Sequence, residues 1–178
     1  MKLHLGCGWR DFGEDWVHID GGDYHHLEHG DITKLPYEDE SVDLIYASHV
    51  LEYFDREEVI PVLQEWVRVL KRNGTLRIAV PDFEAMAAMY VFNKCGLSGF
   101  LGPLYGKMKM GDKVIYHKTT YDFDDLSDML KSVGINSVKR YDWRKTEHSD
   151  FDDHSQAYIP HMDKEAGVLI SLNVEGVK

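Results

Sequence analysis

The chain has 178 residues, of which 43% are hydrophobic and 29% charged, and a formal net charge of −11. That length supplies one domain with a single core, and the acidic balance excludes a surface that follows phosphates with Lys and Arg, so nucleic acid is not an expected partner. The two cysteines, Cys7 and Cys95, offer neither a disulfide framework nor metal-ligand spacing, no apolar run approaches the roughly 18 residues of a membrane span, and a strand beginning at Lys2 leaves no space for a leader. A cytoplasmic protein without membrane association is expected.

Lys2 to Leu5 reads as a short buried strand running into the turn Gly6-Cys7-Gly8, and Trp16 to Ile19 as a second strand closed by Asp20. Two glycines after a strand let the backbone pass close to a ligand, and a carboxylate ending the next strand can grip two vicinal hydroxyls, which together describe a nucleoside site. A dinucleotide would need a third glycine and an acid about 20 residues on, with a helix between to hold the pyrophosphate. Here Asp11 stands where that glycine would be, and Asp20 follows too soon for such a helix. The ligand expected is a nucleoside without phosphates, and S-adenosylmethionine fits.

Val42 to Tyr46 is the next buried strand, and Val59, Leu63, Trp66, Val67 and Leu70 recur at helical spacing over about 57–70, with Asp55 and Glu58 as a capping box, Pro61 forcing a bend or late start, and Asn73-Gly74 as the stop. Thr75 to Val80 is a strand ended by Pro81. Asp82 caps a helix running to about Lys94, with Phe83, Met86, Met89 and Tyr90 as its apolar stripe; Met86 and Met89 read as core packing. Residues 96–121, rich in glycine and apolar side chains, suit a lid or substrate loop within the single domain 1–178. A helix from Asp122 to Val133 stopped by Gly134, a strand from Ser137 to Asp142, a polar irregular stretch from Trp143 to Gly167 and a last strand from Val168 to Val174 complete the chain. The alternation implies an α/β domain with a mostly parallel sheet and a ligand at the strand carboxyl ends, where the loops after the first strand and after Tyr46 open apart.

The first ninety residues resemble the class I S-adenosylmethionine-dependent methyltransferases. Leu3-His-Leu-Gly-Cys-Gly8, Ile19-Asp20, Gly30-Asp31-Ile32, Leu35-Pro36, Ser41-Val-Asp-Leu-Ile-Tyr46, His49-Val-Leu-Glu52, Arg68-Val-Leu-Lys71 and Gly74-Thr-Leu-Arg-Ile78 fall in that family's order. The resemblance implies a Rossmann-like sheet of seven strands, mostly parallel with an antiparallel last strand, S-adenosyl-L-methionine as cofactor and S-adenosyl-L-homocysteine as product. It further implies that Gly6 and Gly8, with Leu5 and Cys7 in the same turn, line the methionine part, that Asp20 beside Gly21 binds the ribose hydroxyls, that Asp31 and the Ile32 backbone hold the adenine edge, and that Ala47-Ser48-His49 lies near the transferred methyl. One departure stands out: the helices expected on one sheet face are nearly missing, and a parallel sheet is normally covered on both faces. A second subunit, giving a homodimer, or the Asp82–Lys94 helix with the loop after it, is expected to cover that face.

Methyl transfer needs a base only where the acceptor carries a proton, and the candidates are His49, His117 and His154. Glu52 and Tyr53 could face the acceptor or serve structure alone. His25, His26 and His29 lack a matching carboxylate or thiolate set, so no metal is expected. A small-molecule or sugar-like acceptor is the leading expectation. A cofactor-binding regulatory module without transfer is the alternative, and a nicotinamide-dependent oxidoreductase is disfavoured by the missing third glycine.

Overall fold

The computed structural model describes residues 1–92 and 94–178. Its main sheet contains β1 (Lys2–Leu5), β2 (Trp16–Ile19), β3 (Leu27–His29), β4 (Val42–Ser48) and β5 (Leu70–Pro81), and is completed late in the chain. The intervening elements are α1 (Val59–Val69), α2 (Phe83–Val91), α3 (Leu101–Tyr105), a hairpin of β6 (Met108–Met110) and β7 (Lys113–Ile115), and α4 (Phe123–Ser132). After β8 (Asn136–Arg140) come β9 (Tyr158–Ile159), β10 (Val168–Leu169) and β11 (Ser171–Val177). The strand order is β3-β2-β1-β4-β5-β11-β8, with β1 to β5 pairing in parallel and β11 antiparallel to both β5 and β8. Chain order reverses at β1, between β2 and β4, which opens the crevice there.

Strand alternation splits the sheet into two unlike faces. Leu5 is in register with Ile19 and Ala47, Ala47 with Ile78, and Ile78 with Val174, so one row is wholly apolar. α1 and α4 cover it with Val59, Leu63, Trp66, Leu126 and Leu130 in one core cluster. The other face carries the row His18, His4, Tyr46, Arg77 and Glu175. Among the described residues no α-helix lies on it. Phe12 stacks on His4 at 4.0 Å between ring centres, His148 lies 4.0 Å from Tyr46, and Phe151 lies 4.7 Å from Phe12. The Tyr46 hydroxyl donates to Asp153 Oδ2 at 2.5 Å, and Arg77 pairs with Glu147 and Glu175.

That cover corrects one expectation. The polar stretch after Trp143, not α2, closes the face, because its buried His148, Asp153, Ser155 and Gln156 match the polar row beneath them. α2 instead packs Met86 and Met89 against Phe100 and Ile170.

Several element boundaries differ for local reasons. Trp9 to Asp15 forms turns and no helix. α1 starts late: Asp55 Oδ1 accepts from the Glu58 amide while Glu58 Oε2 accepts from the Asp55 amide, a capping box that spans the turn ahead of Pro61. Asn73-Gly74 does not stop this helix. It ends at Val69, the chain turns directly into β5, and Asn73 takes a left-handed φ of 63° inside the strand, where the β4–β5 register shifts. α2 is capped by Asp82, whose side chain accepts from Ala85 N, and ends at Val91, so the expected run to Lys94 is too long; Asn93 lies outside the described residues. Gly134 closes α4 at φ 98°, as its position implies. The last strand is interrupted at Ile170 and continues to Val177. No helix among the described residues is long and apolar enough to cross a membrane.

Candidate active site

The first loop is built around glycine geometry. Gly6 and Gly8 adopt φ of 65° and 58°, and a Cβ on Gly6 would lie 2.3 Å from Val50 Cγ2, so both the backbone angle and the neighbour demand glycine. The loop is tied to the end of β2 through one carboxylate. Asp20 Oδ2 accepts from the Gly8 amide at 2.8 Å and Oδ1 from the Gly22 amide at 2.7 Å. An ionised carboxylate offers about four lone-pair positions, so two remain for ligand hydroxyls.

The neighbouring residues fall in place around it. A Cβ on Gly21 would meet Met110 Sδ at 3.4 Å and the Gly30 carbonyl at 3.7 Å, which puts the β6–β7 hairpin over the rim beside Asp20. Asp31 Oδ1 accepts from both the amide and the hydroxyl of Thr33, and these bonds hold its carboxyl below the usual range. The Ile32 carbonyl accepts from Trp66 Nε1 at 2.8 Å, fixing this segment on α1 and leaving its amide for a ligand. Cys7 is buried, and burial with the nearby Asp20 charge pushes its thiol up to about 12, so it is an inert thiol in the turn wall.

Leu5 and Ala47 face each other in register, which sets Ser48 and His49 directly across from the glycine turn. The Ser48 hydroxyl is buried without a hydrogen-bond partner, an orphan that a polar ligand can satisfy. His49 is held at φ 55°, with its amide donating to the Ala79 carbonyl at 2.8 Å.

The three candidate histidines converge. His154 lies 5.1 Å from His49 between ring centres, and His49 Nδ1 and His117 Nε2 approach the same oxygen, Glu52 Oε1, at 3.4 and 3.7 Å. Burial lowers all three histidines below their ordinary range, and burial raises the Glu52 carboxyl to about 8. The segment 96–121 delivers His117: its Nδ1 lies 2.9 Å from the Pro103 carbonyl, its amide donates to the Tyr105 carbonyl, and Tyr53 donates its hydroxyl to the Gly106 carbonyl.

Glu52 is the residue that spacing undervalued. A lone acid between the apolar pairs Val50-Leu51 and Tyr53-Phe54 is the available signal, because acids are almost never fully buried unless paired. By contrast, His29 is turned away from the other two, its Nε2 beside the Lys34 carbonyl, while His26 sits 5.5 Å from His25 between ring centres and beside His18 and Cys7.

Known proteins share the fold. A family model described as a methyltransferase domain matches residues 11–78. A demethylmenaquinone methyltransferase of Staphylococcus haemolyticus is 29% identical over 126 residues, 64% of this chain and 49% of that protein, so the chain spans about half the length of the curated relatives it matches. A S-adenosylmethionine-dependent methyltransferase from Thermotoga maritima superposes with a TM-score of 0.59 at 16% identity, covering 99% of this chain and 81% of that one. The Burkholderia thailandensis 1,6-didemethyltoxoflavin-N1-methyltransferase, solved with S-adenosylhomocysteine, gives 0.56 at 10% identity, covering 99% and 70%. Strand order and the superpositions agree on the fold, which is that of S-adenosylmethionine-dependent methyltransferases, and residues 11–78 are similar to a methyltransferase domain.

Proposed function

We propose that the protein transfers a methyl group from S-adenosylmethionine to a small-molecule acceptor. The observation that carries this reading is Asp20, which follows β2 beside the point where strand order reverses and whose carboxylate accepts from the Gly8 and Gly22 amides. S-adenosylmethionine supplies a methyl on a cationic sulfonium, activated for in-line displacement. Gly6 and Gly8 leave space for its methionine part, Asp20 accepts from the ribose hydroxyls, and the Ile32 amide with Asp31 meets the adenine edge.

The residues near His49 have three tasks. They hold an acceptor about 3 Å from the methyl and in line with it, which alone supplies much of the rate. They exclude water, favouring a transition state in which charge disperses. His154, exposed beside the His49 ring, can take a proton where the acceptor releases one, while burial lowers the basicity of His49 and His117. The β6–β7 hairpin above Gly21 acts as the lid, and the acceptor enters beneath it. The small-molecule assignment is supported by the acidic surface and by relatives named for demethylmenaquinone and didemethyltoxoflavin.

The test is transfer of labelled methyl to a panel of small ring-containing and hydroxylated acceptors. Transfer to at least one, lost in Asp20→Ala, is expected. Cofactor binding without transfer to any member would replace this reading with a regulatory binding module.

A further inference from the structure

Glu52 is 0% exposed, and neither carboxyl oxygen has a hydrogen-bond partner of good geometry. The two imidazoles that approach it are each polarised from their far side by a chain of donors whose direction is fixed. Asn173 Nδ2 donates to the Ser155 carbonyl at 2.8 Å, which leaves Asn173 Oδ1 as an acceptor. The Ser171 hydroxyl donates its one proton to that oxygen at 2.9 Å. Ser171 Oγ therefore accepts from His49 Nε2 at 3.2 Å, so a neutral His49 carries its proton on Nε2 and turns the Nδ1 lone pair toward Glu52. On the other side the Pro103 carbonyl accepts from His117 Nδ1 at 2.9 Å, so His117 Nε2 also carries a lone pair toward Glu52. An ionised carboxylate would face two lone pairs inside a dry cluster, the worst arrangement for a buried charge.

We propose that Glu52 is held as a neutral carboxylic acid whose proton lies between His49 Nδ1 and His117 Nε2, making it the positioning residue that bridges the two imidazoles. Among the described residues no Lys or Arg pairs with Glu52. Lys118, whose amide donates to the Glu52 carbonyl, turns its amine to Glu58 at 2.6 Å, and the other titratable groups nearby are His154 beside His49, Tyr53 against the His117 ring, and Tyr121, whose hydroxyl donates to the Leu51 carbonyl. Arg10 acts on His49 and His154 and disfavours their protonation. Burial raises the carboxyl of Glu52 in the same sense.

The chemical value of this arrangement rests on the methyl-transfer reading, although the proton's place does not. A sulfonium cofactor is repelled by an imidazolium, so a cluster that keeps its histidines neutral while holding one proton leaves the cationic cofactor undisturbed. The lid also has its seat here, because Pro103 and His117 belong to it. A Cβ on Gly106 would fall 1.9 Å from His117 Nε2, which shows how closely that backbone is laid on the ring.

Long-range proton–nitrogen NMR on histidine-labelled protein without cofactor reads the protonation directly. At neutral pH the account expects His49 as the Nε2–H tautomer and His117 as the Nδ1–H tautomer, both neutral, and Glu52→Gln, which keeps a donor, leaves both patterns in place. An imidazolium at either position in the wild type, lost in Glu52→Gln, overturns the proposal by revealing a carboxylate ion pair. Should the variant fail to fold, infrared spectroscopy of the wild type decides: a buried carboxylic-acid band that fades as pH rises through about 8 is expected, and its absence at neutral pH overturns the assignment. Failure of S-adenosylhomocysteine to bind would end the methyl-transfer reading and leave this result standing.

Discussion

The two faces of the sheet are closed by different chemistry. α1 and α4 close one with aliphatic side chains and Trp66, whose indole is fully buried and whose only polar atom donates to the Ile32 carbonyl. Loops close the other with Phe12, Phe151 and His148 laid on His4 and Tyr46, and with Asp153 receiving the Tyr46 hydroxyl. The helical face depends on volume and tolerates little change of shape. The loop face depends on rings that stack and on polar atoms that must keep their partners, so it is specified by hydrogen bonding and protonation. A domain that has lost its first helices can thus still cover its sheet from within one chain.

Truncating the helical face has the largest expected effect. Trp66→Ala should cost about 3–5 kcal/mol, read as a drop in the denaturant midpoint, because it empties the centre of the core and releases the Ile32 carbonyl. A loss within about 0.5 kcal/mol would mean that α1 is not the principal cover.

Acid should act on the loop face. Burial lowers His148 from 6.5 to about 4, so its neutral form is favoured in the folded state, and the stability this contributes is present above 6.5 and lost as pH falls toward 4. The slope approaches about 1.4 kcal/mol per pH unit for this one group. His4 is lowered in the same direction by burial, with His18 adding to it. His148→Leu should flatten the dependence of stability on pH across that window, and an unchanged slope would show that the ring is solvated. A smaller effect is expected for Tyr46→Phe, about 1–2 kcal/mol, because Asp153 Oδ2 loses its donor while the stacking survives. At the bottom of the scale, Lys131→Ala removes an exposed pair with Asp128 and should stay within about 0.5 kcal/mol, as surface pairs do.

Local signals in the sequence located the helical face well and the loop face poorly. Val59, Leu63, Trp66 and Val67 repeat at helical spacing, and each lands in the core, because a helix carries its address in its own periodicity. Phe12, His148, Phe151 and Asp153 have no periodicity, and their meeting depends on partners more than a hundred residues apart, such as Tyr46 with Asp153. The site divides in the same way. The turn at Gly6 and Gly8 and its tie to Asp20 follow from local geometry, whereas Glu52 meets His117 only through the segment 96–121. The expectation that α2 would cover the open face failed for a related reason: its Met86 and Met89 stripe found Phe100 and Ile170 at the strand ends, and Phe83 and Tyr90 remain exposed.

The central claim is that the glycine turn and Asp20 form the nucleoside end of a S-adenosylmethionine site. Calorimetric titration of the intact chain with S-adenosylhomocysteine tests it most directly. Saturable binding is expected, abolished by Asp20→Ala and by Gly6→Ala, whose new Cβ collides with Val50, and retained in Lys131→Ala. No binding to the folded wild type, or equal binding by Asp20→Ala, would contradict it.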